Sequence, residues 1–319
     1  MKVNGILNIW QLIKSRFSIY LVLFAMIVIA SLISPVFLSP RNISNIARQI
    51  SVITIMSLAQ TVVIIGGMID LSVGSVMALA GILAVSFYIA TESLYLSVLV
   101  GMGVGILATS ISGLFITILK VPPFIATLGM LTIARGLSLL ITAGQNIYQI
   151  GDFTILGQGN VVGIPTPILF MFAMAIFVWF VLNHTRQGRY IYAIGGNEEA
   201  ARASGIRITF TKQLAYIIAG ALVGLAGVLF MSRVNAGLPN AGIGHELDTI
   251  SIAVIGGTSI SGGAGSAFGT LAGAFIIGIL NNIMNLLGIQ SYVQSIVRGI
   301  IIVIAVAYDT MAKSRKKKT

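Results

Sequence analysis

Stretches of about 20 apolar residues, parted by short polar breaks, recur along the whole chain, and each is long enough to cross a hydrocarbon layer as a helix. The pattern predicts ten spans: Phe17–Phe37, Ile50–Gly67, Val73–Ala90, Leu94–Leu119, Phe124–Thr142, Pro165–Asn183, Gln213–Met231, Leu247–Gly257, Ala267–Leu287 and Tyr292–Tyr308. The eighth is too short for a full crossing, so it begins before Leu247 or belongs to a broken helix. Two polar breaks are much longer than the rest, Gly144–Ile164 and His184–Lys212. Breaks longer than about 12–15 residues usually carry function.

Composition turns this pattern into a class. Of 319 residues, 57% are hydrophobic and 8% charged, and mean hydropathy is +1.01. A soluble domain carries roughly 25% charge, so a soluble enzyme, a disordered chain and a disulfide scaffold are excluded. What remains is an all-α integral membrane protein. The 36 glycines suggest close helix packing. The absence of cysteine removes disulfides, thiolate metal sites and thiol nucleophiles.

The net charge of +11 fits topology better than nucleic-acid binding. With the N-terminus in the cytoplasm, basic residues gather on that side: Lys2, Lys14, Arg16, Lys120, Arg186, Arg189, Arg202, Arg207, Lys212 and the tail Lys313–Lys318. The opposite side holds Arg41, Arg48 and Arg233, and Arg135 and Arg298 fall inside spans. Ten crossings place both termini in the cytoplasm. The apolar run from Phe17 exceeds a signal-peptide core and lacks an A-x-A-like site, so it reads as a retained span. The chain reads as one transmembrane domain over 1–319, with the helical bundle at 17–308, a cytoplasmic loop at 184–212 and a basic tail at 309–319.

Candidate chemistry is sparse. Asp70 suits an N-cap for the third span, with Ser72 beside it; the alternative is a proton or cation gate. Arg135 and Arg298 either pair with Asp70 or snorkel from helix ends. Asn281 and Asn285 share a helix face at i, i+4, with Asn282 on a neighbouring face; Gln60 and Gln294 lie in other spans. These amides are candidates for a translocation path, or for hydrogen bonds between helices. His184 and His245 fall at opposite sides, and no metal or catalytic cluster is evident. A weak echo links Ile65-Gly66-Gly67, Gly74-Ser75 and Leu79-Ala80-Gly81 to Ile255-Gly256-Gly257, Gly265-Ser266 and Leu271-Ala272-Gly273, with two insertions. It marks either an internal repeat or a chance match among small-residue helices.

The second long break is the most specific signal. Within Ile194–Ile206, Asn197 caps a short helix after Gly195-Gly196, Glu198 and Glu199 fill the first turn, Ala200 and Ala201 follow, Arg202 lies near the end, and Gly205 is the stop. Such a rigid helix suits docking into a partner's groove. Glu199-Ala200-Ala201-x-x-x-Gly205 resembles the Glu-Ala-Ala-x-x-x-Gly loop of binding-protein-dependent ABC importer permeases. The maltose-type continuation is absent after Gly205. The branch for ribose, xylose and galactosides is the one resembled, through Gly67–Ser75, Leu128–Gly136, Gly195–Ile206, Ile255–Ser259 with Gly262-Gly263, and Asn281–Gly288.

That resemblance implies a ten-helix permease of the vitamin-B12-importer type in the cell membrane. It implies a homodimer with two ATPase subunits that receive the 195–205 loop, and an extracytoplasmic sugar-binding protein. This chain would bind no cofactor or metal itself; ATP and magnesium would belong to the ATPase. Membrane lipid, not nucleic acid, would be the remaining partner. A monosaccharide such as ribose is the implied cargo. Nucleosides, branched-chain amino acids and a stand-alone secondary transporter are the alternatives.

Overall fold

The computed structural model describes residues 19–316. Lys2, Lys14, Arg16, Lys317, Lys318 and the expected start of the first span at Phe17 lie outside the described residues. Helix α1 covers Ile19–Ile33. It is followed by α2 (Pro40–Ile65), α3 (Val73–Thr91), α4 (Leu94–Thr117), α5 (Pro123–Thr142), α6 (Ile155–Gln158), α7 (Thr166–His184), α8 (Arg186–Gly196) and α9 (Glu198–Ala203). The chain ends through α10 (Ile208–Val234), α11 (His245–Ile255), α12 (Ala267–Leu286) and α13 (Ser291–Lys316). Among the described residues, seven helices are long and apolar enough to cross a membrane: α2, α3, α4, α5, α7, α10 and α12; α1 is a shorter apolar helix. The fold is all-α apart from a minute hairpin, Asn160–Val161 against Ile164–Pro165. Its two-residue turn, Val162-Gly163, has both φ angles positive, as such tight turns require.

Helix α2 starts ten residues before the predicted span. Ser39 supplies the reason: its hydroxyl accepts the Asn42 amide at 3.3 Å, and Pro40 sits in the first turn, where its missing N–H costs nothing. Helices α2 and α10 run through the centre, with 83% and 72% of their apolar windows buried, whereas α5 is 22% buried. The outer faces of α5 and α7 expose Leu140, Phe172 and Phe180. That is the distribution expected where lipid, not water, covers the surface. Gly101 and Gly105 of α4 lie backbone-to-backbone against Gly224 and Gly220 of α10. No larger side chain allows two helix axes to approach so closely.

Two non-helical stretches enter the bundle. The first links α2 to α3. Helix α2 ends at Gly66-Gly67, and residues Met68, Asp70 and Ser72 are buried in irregular backbone. Unpaired peptide groups at such depth are tolerated only where protein satisfies them. Gln60, also buried, does so: its amide donates to the Asp70 carbonyl at 3.1 Å and accepts from the Asp70 N–H at 3.2 Å. The second stretch precedes α11. Gly237 bonds to Ile147 in the long 144–164 segment, yet Gly242 lies against Gly74 and Met77 at the start of α3. The chain has therefore descended beside α3 before α11 begins at His245, two residues ahead of the expected start. Eleven residues make a rod of about 16 Å, half of a ~30 Å hydrocarbon core.

The sequence echo is partly geometric. Gly67 bonds to Ile64 and Met68 to Val63; Gly257 bonds to Val254 and Thr258 to Ala253. Both helices thus stop in the same way. The starts that follow are out of step: Gly74-Ser75 lie inside the first turn of α3, while Gly265-Ser266 precede α12.

At the end of the bundle remote from α9, segment 144–164 folds over α10. The Ser232 hydroxyl donates to the Phe153 carbonyl at 2.5 Å and accepts the Gly157 N–H at 2.6 Å. Arg233 is turned onto the Arg48 carbonyl at 3.3 Å and the Phe230 ring, and Arg48 donates to Asn160 at 3.0 Å.

Candidate functional site

The loop between α7 and α10 is built from helix-end chemistry. Thr185 caps α8 by accepting the Gly188 N–H at 3.0 Å. Asn197 ends α8 and caps α9, accepting the Ala200 N–H at 3.0 Å. Helix α9 closes with paired bonds, Gly205 N–H to Arg202 and Ile206 N–H to Ala201. This closure needs a left-handed residue, and Gly205 has φ +80°. Ile206 packs on a small cluster of Ile194, Ala201 and Ile208 that anchors α9 to its neighbours. Glu198 donates nothing; it accepts from Arg202 at 2.9 Å and from Lys212 of α10 at 2.6 Å. The Lys212 hydrogen bond, more than any other influence, holds its carboxyl below the usual carboxylate range.

What α9 leaves outward is a continuous exposed strip. Gly196, Asn197, Glu199, Ala200, Arg202 and Gly205 all face open space, while Ala201 is buried and Glu198 partly so. A shallow hollow of about 580 Å³ is lined by Glu198, Glu199, Arg202 and Ala203. A second of about 250 Å³ lies between Gln187, Gly205 and Phe210. The strip's rigidity comes from caps and the Lys212 bridge, so it presents a fixed shape.

Behind it lies a glycine junction. The Gly263 N–H donates to Ile65 at 2.9 Å, and a Cβ on Gly195 would collide with the same carbonyl. The Tyr192 hydroxyl donates to the Gly265 carbonyl at 2.8 Å. The end of α8 thus touches both the close of α2 and the segment after α11.

Several polar residues inside the bundle find protein partners, while Asp70 Oδ2 and the Tyr216 hydroxyl do not. Gln60 is bound to the Asp70 backbone. Asp70 Oδ1 accepts from the Ser72 N–H at 2.7 Å and the Ser72 hydroxyl at 2.6 Å, a local turn two residues before Ser72 takes the N-cap position of α3. Gln294 donates to Asn285 at 2.8 Å and to the Ile289 carbonyl. Asn282 exchanges two bonds with Asn42, at 2.9 and 3.0 Å, tying α12 to α2. Asn281 Oδ1 is buried without a partner. Thr61 and Thr270 share a 2.6 Å bond between the same two helices.

Neither arginine in the spans bonds to Asp70. Arg298 of α13 pairs with Asp248 of α11 at 3.5 Å. Arg135 of α5 donates to the Pro239 carbonyl, in the segment that leads into α11. His245 meets Phe230 edge-on. The first turn of α11 and the segment before it therefore meet the charges that α13 and α5 carry into the bundle.

Residues 42–306 match the family described as branched-chain amino acid transport system, permease component. The chain belongs to this permease family. It is 43% identical to the ribose import permease protein RbsC of Bacillus subtilis (strain 168), over 91% of each chain. Identity to RbsC of Haemophilus influenzae is also 43%, over 93% of this chain and 94% of that one. The D-allose transport system permease protein AlsC of Escherichia coli K12 is 37% identical, over 95% and 94%.

In this permease the capped helix 198–203 forms where the residue grammar placed it. Helix α8 lies in a stretch that the apolar pattern reads as a loop, although Thr185 three residues before Gly188 is a legible cap. The placement of His245, Glu246 and Asp248 together in the first turn of α11 is not legible in the sequence. The three residues were visible, but nothing local to them says that the preceding ten residues turn inward.

Proposed function

We propose that this chain is the membrane-spanning subunit of an ATP-driven importer for a monosaccharide, ribose or a close analogue. The observation that carries the reading is the rigid, exposed α9 strip from Asn197 to Gly205, on a chain 43% identical to ribose permeases. Under this reading α9 seats in a groove of a separate ATPase, which holds the ATP and magnesium; the permease needs no cofactor. An extracytoplasmic binding protein delivers the sugar to the end of the bundle formed by segment 144–164. The working unit is a homodimer in a lipid bilayer, each copy a single domain of ten membrane helices of the vitamin-B12-importer type. Helices α1, α11 and α13 complete the ten, and both termini lie in the cytoplasm. The 14 basic residues on that side support the orientation.

The relatives favour a sugar over the branched-chain amino acids of the family description. Reconstitution with the ATPase and binding protein tests this. ATP-dependent uptake of labelled ribose, but not leucine or uridine, is expected. Uptake driven by an ion gradient without the ATPase would refute it.

A further inference from the structure

A sugar crossing this bundle must exchange the water on its hydroxyls for protein groups, and several polar groups at depth are already spent. Gln60 holds the Asp70 backbone, Asn282 is paired with Asn42, and Thr61 with Thr270. Helix α11 is placed differently. It closes at Gly256-Gly257, shortly before Gly262-Gly263 reach Gly195 and Gly196 at the foot of α8. Its starting turn therefore lies about 16 Å further in, near the middle of a ~30 Å hydrocarbon core. The rod is firmly set: Ile252 packs with Ala274 and Ile277 of α12, and Ile53 of α2 and Ile301 of α13 lie against them. Side chains carried on such a rod are held in fixed positions.

Of the two acids in that turn, Glu246 is taken up locally. Its Oε1 accepts the Gly244 N–H at 3.2 Å, and a Cβ on Gly74 of α3 would come within 2.8 Å of its Oε2. Asp248 is left open. Among the described residues its one ion-pair partner is Arg298 of α13 at 3.5 Å, longer than a good charged hydrogen bond, and both side chains are partly exposed. The buried Nε of Arg298 has no partner. Leu247 and Ile243 beside them are more than half exposed, at 51% and 70%. A carboxylate and a guanidinium thus stand side by side at mid-depth, neither fully satisfied, at the edge of open space.

We infer that Asp248 and Arg298 form a contact site for adjacent hydroxyls of the cargo as it crosses. This rests on the reading of the cargo as a monosaccharide. One hydroxyl donates to the Asp248 carboxylate and its neighbour accepts from the Arg298 guanidinium, both charge-assisted bonds. The pair's attraction for each other competes with the sugar, so the contact is weak enough to let it leave, as passage requires. A cargo without adjacent hydroxyls gains no such bonds in return for desolvating the pair.

The absence of cysteine makes the test clean. The permease, assembled with its ATPase in lipid nanodiscs that leave both faces open, carries Leu247→Cys, which keeps Asp248 and Arg298 intact; Ile243→Cys is the second reporter. Labelling by a small neutral methanethiosulfonate is timed in D-ribose, in equimolar betaine, which has no hydroxyl, and in leucine. Tyr95→Cys, at the exposed start of α4, is the reference. Ribose is expected to slow labelling of the reporter threefold or more, with the reference unmoved and betaine and leucine without effect. Adding Asp248→Asn or Arg298→Gln should remove that protection, whereas Glu246→Gln, in the same turn but directed to α3, should keep it. Equal rates in ribose and betaine, while the complete importer takes up ribose, overturn the inference alone. Protection that survives both Asp248→Asn and Arg298→Gln puts the contact elsewhere and also overturns it. Protection by leucine and not by ribose overturns it together with the monosaccharide reading.

Discussion

Gln60 tests whether the buried amides serve structure or passage. Gln60→Leu keeps the side chain's approximate volume and removes both bonds to the Asp70 backbone, at 3.1 and 3.2 Å. Gln60 is wholly buried, so no water replaces them. Each orphaned peptide group costs about 1–3 kcal/mol, and two together cost about 2–6 kcal/mol. Set against a typical net stability of ~5–15 kcal/mol, this is a severe loss. The assay is thermal unfolding of the purified permease in detergent, with ATP-driven uptake measured on whatever folds. Gln60→Glu, when protonated, offers one O–H and one carbonyl and should recover most of the loss. The reasoning is refuted if Gln60→Leu unfolds within about 0.5 kcal/mol of the wild type, the range of a neutral surface change. Lost uptake at unchanged stability would instead place Gln60 on the solute path.

Three further outcomes follow from local geometry. Asp70→Asn should retain most uptake, because an amide oxygen accepts the same Ser72 bonds; loss of uptake in a folded variant would mark the carboxylate as functional. Gly205→Ala should fray the last turn of α9 by about 1–2 kcal/mol through its left-handed φ, raising amide exchange there roughly tenfold, while Gly205→Asn costs less. Nothing lies within 4 Å of the added Cβ, so equal effects would point to docking, not conformation. Glu198→Gln should loosen the α9–α10 link. Because the folded Glu198 carboxyl is held low, its stabilisation is complete above the unfolded carboxylate range and is lost as pH falls through the lower folded value; salt- and pH-dependent exchange of the α9 amides checks this.

The long helices and the capped α9 were legible because their signals are local. Apolar runs name spans, and an Asn, two glutamates and a glycine at the right spacing name a short helix. The inner polar partners were not legible, because they depend on which faces meet. Asn281 and Asn285 share a face by spacing, yet Asn282 makes the two-bond link to Asn42, since α12 turns that face toward α2. Arg135 and Arg298 were visible as charges in apolar runs, but their partners lie on α11 and its approach, more than a hundred residues from Arg135. The early start of α2 was readable in Ser39-Pro40; the polar residues Asn42 to Gln49 obscured it, because one buried amide, Asn42, an arginine turned to a partner and the exposed Asn45 and Gln49 do not look apolar.

Under the proposed function, in which the binding protein docks on segment 144–164, the stitching of that segment to α10 bears on how the carrier is met. A segment this long would ordinarily sample many shapes, and a carrier would have to wait for, or impose, the right one. Two hydrogen bonds on a single serine, with Phe153 driven into the core and a tight hairpin beyond it, remove that search in advance. Association then loses little further freedom, since each mobile side chain ordered at an interface otherwise costs about 0.5–1.5 kcal/mol. A carrier that must let go after every cycle gains from such a surface: recognition is set by shape and rapid encounter, and release is not delayed by a loop that has to unwind from it.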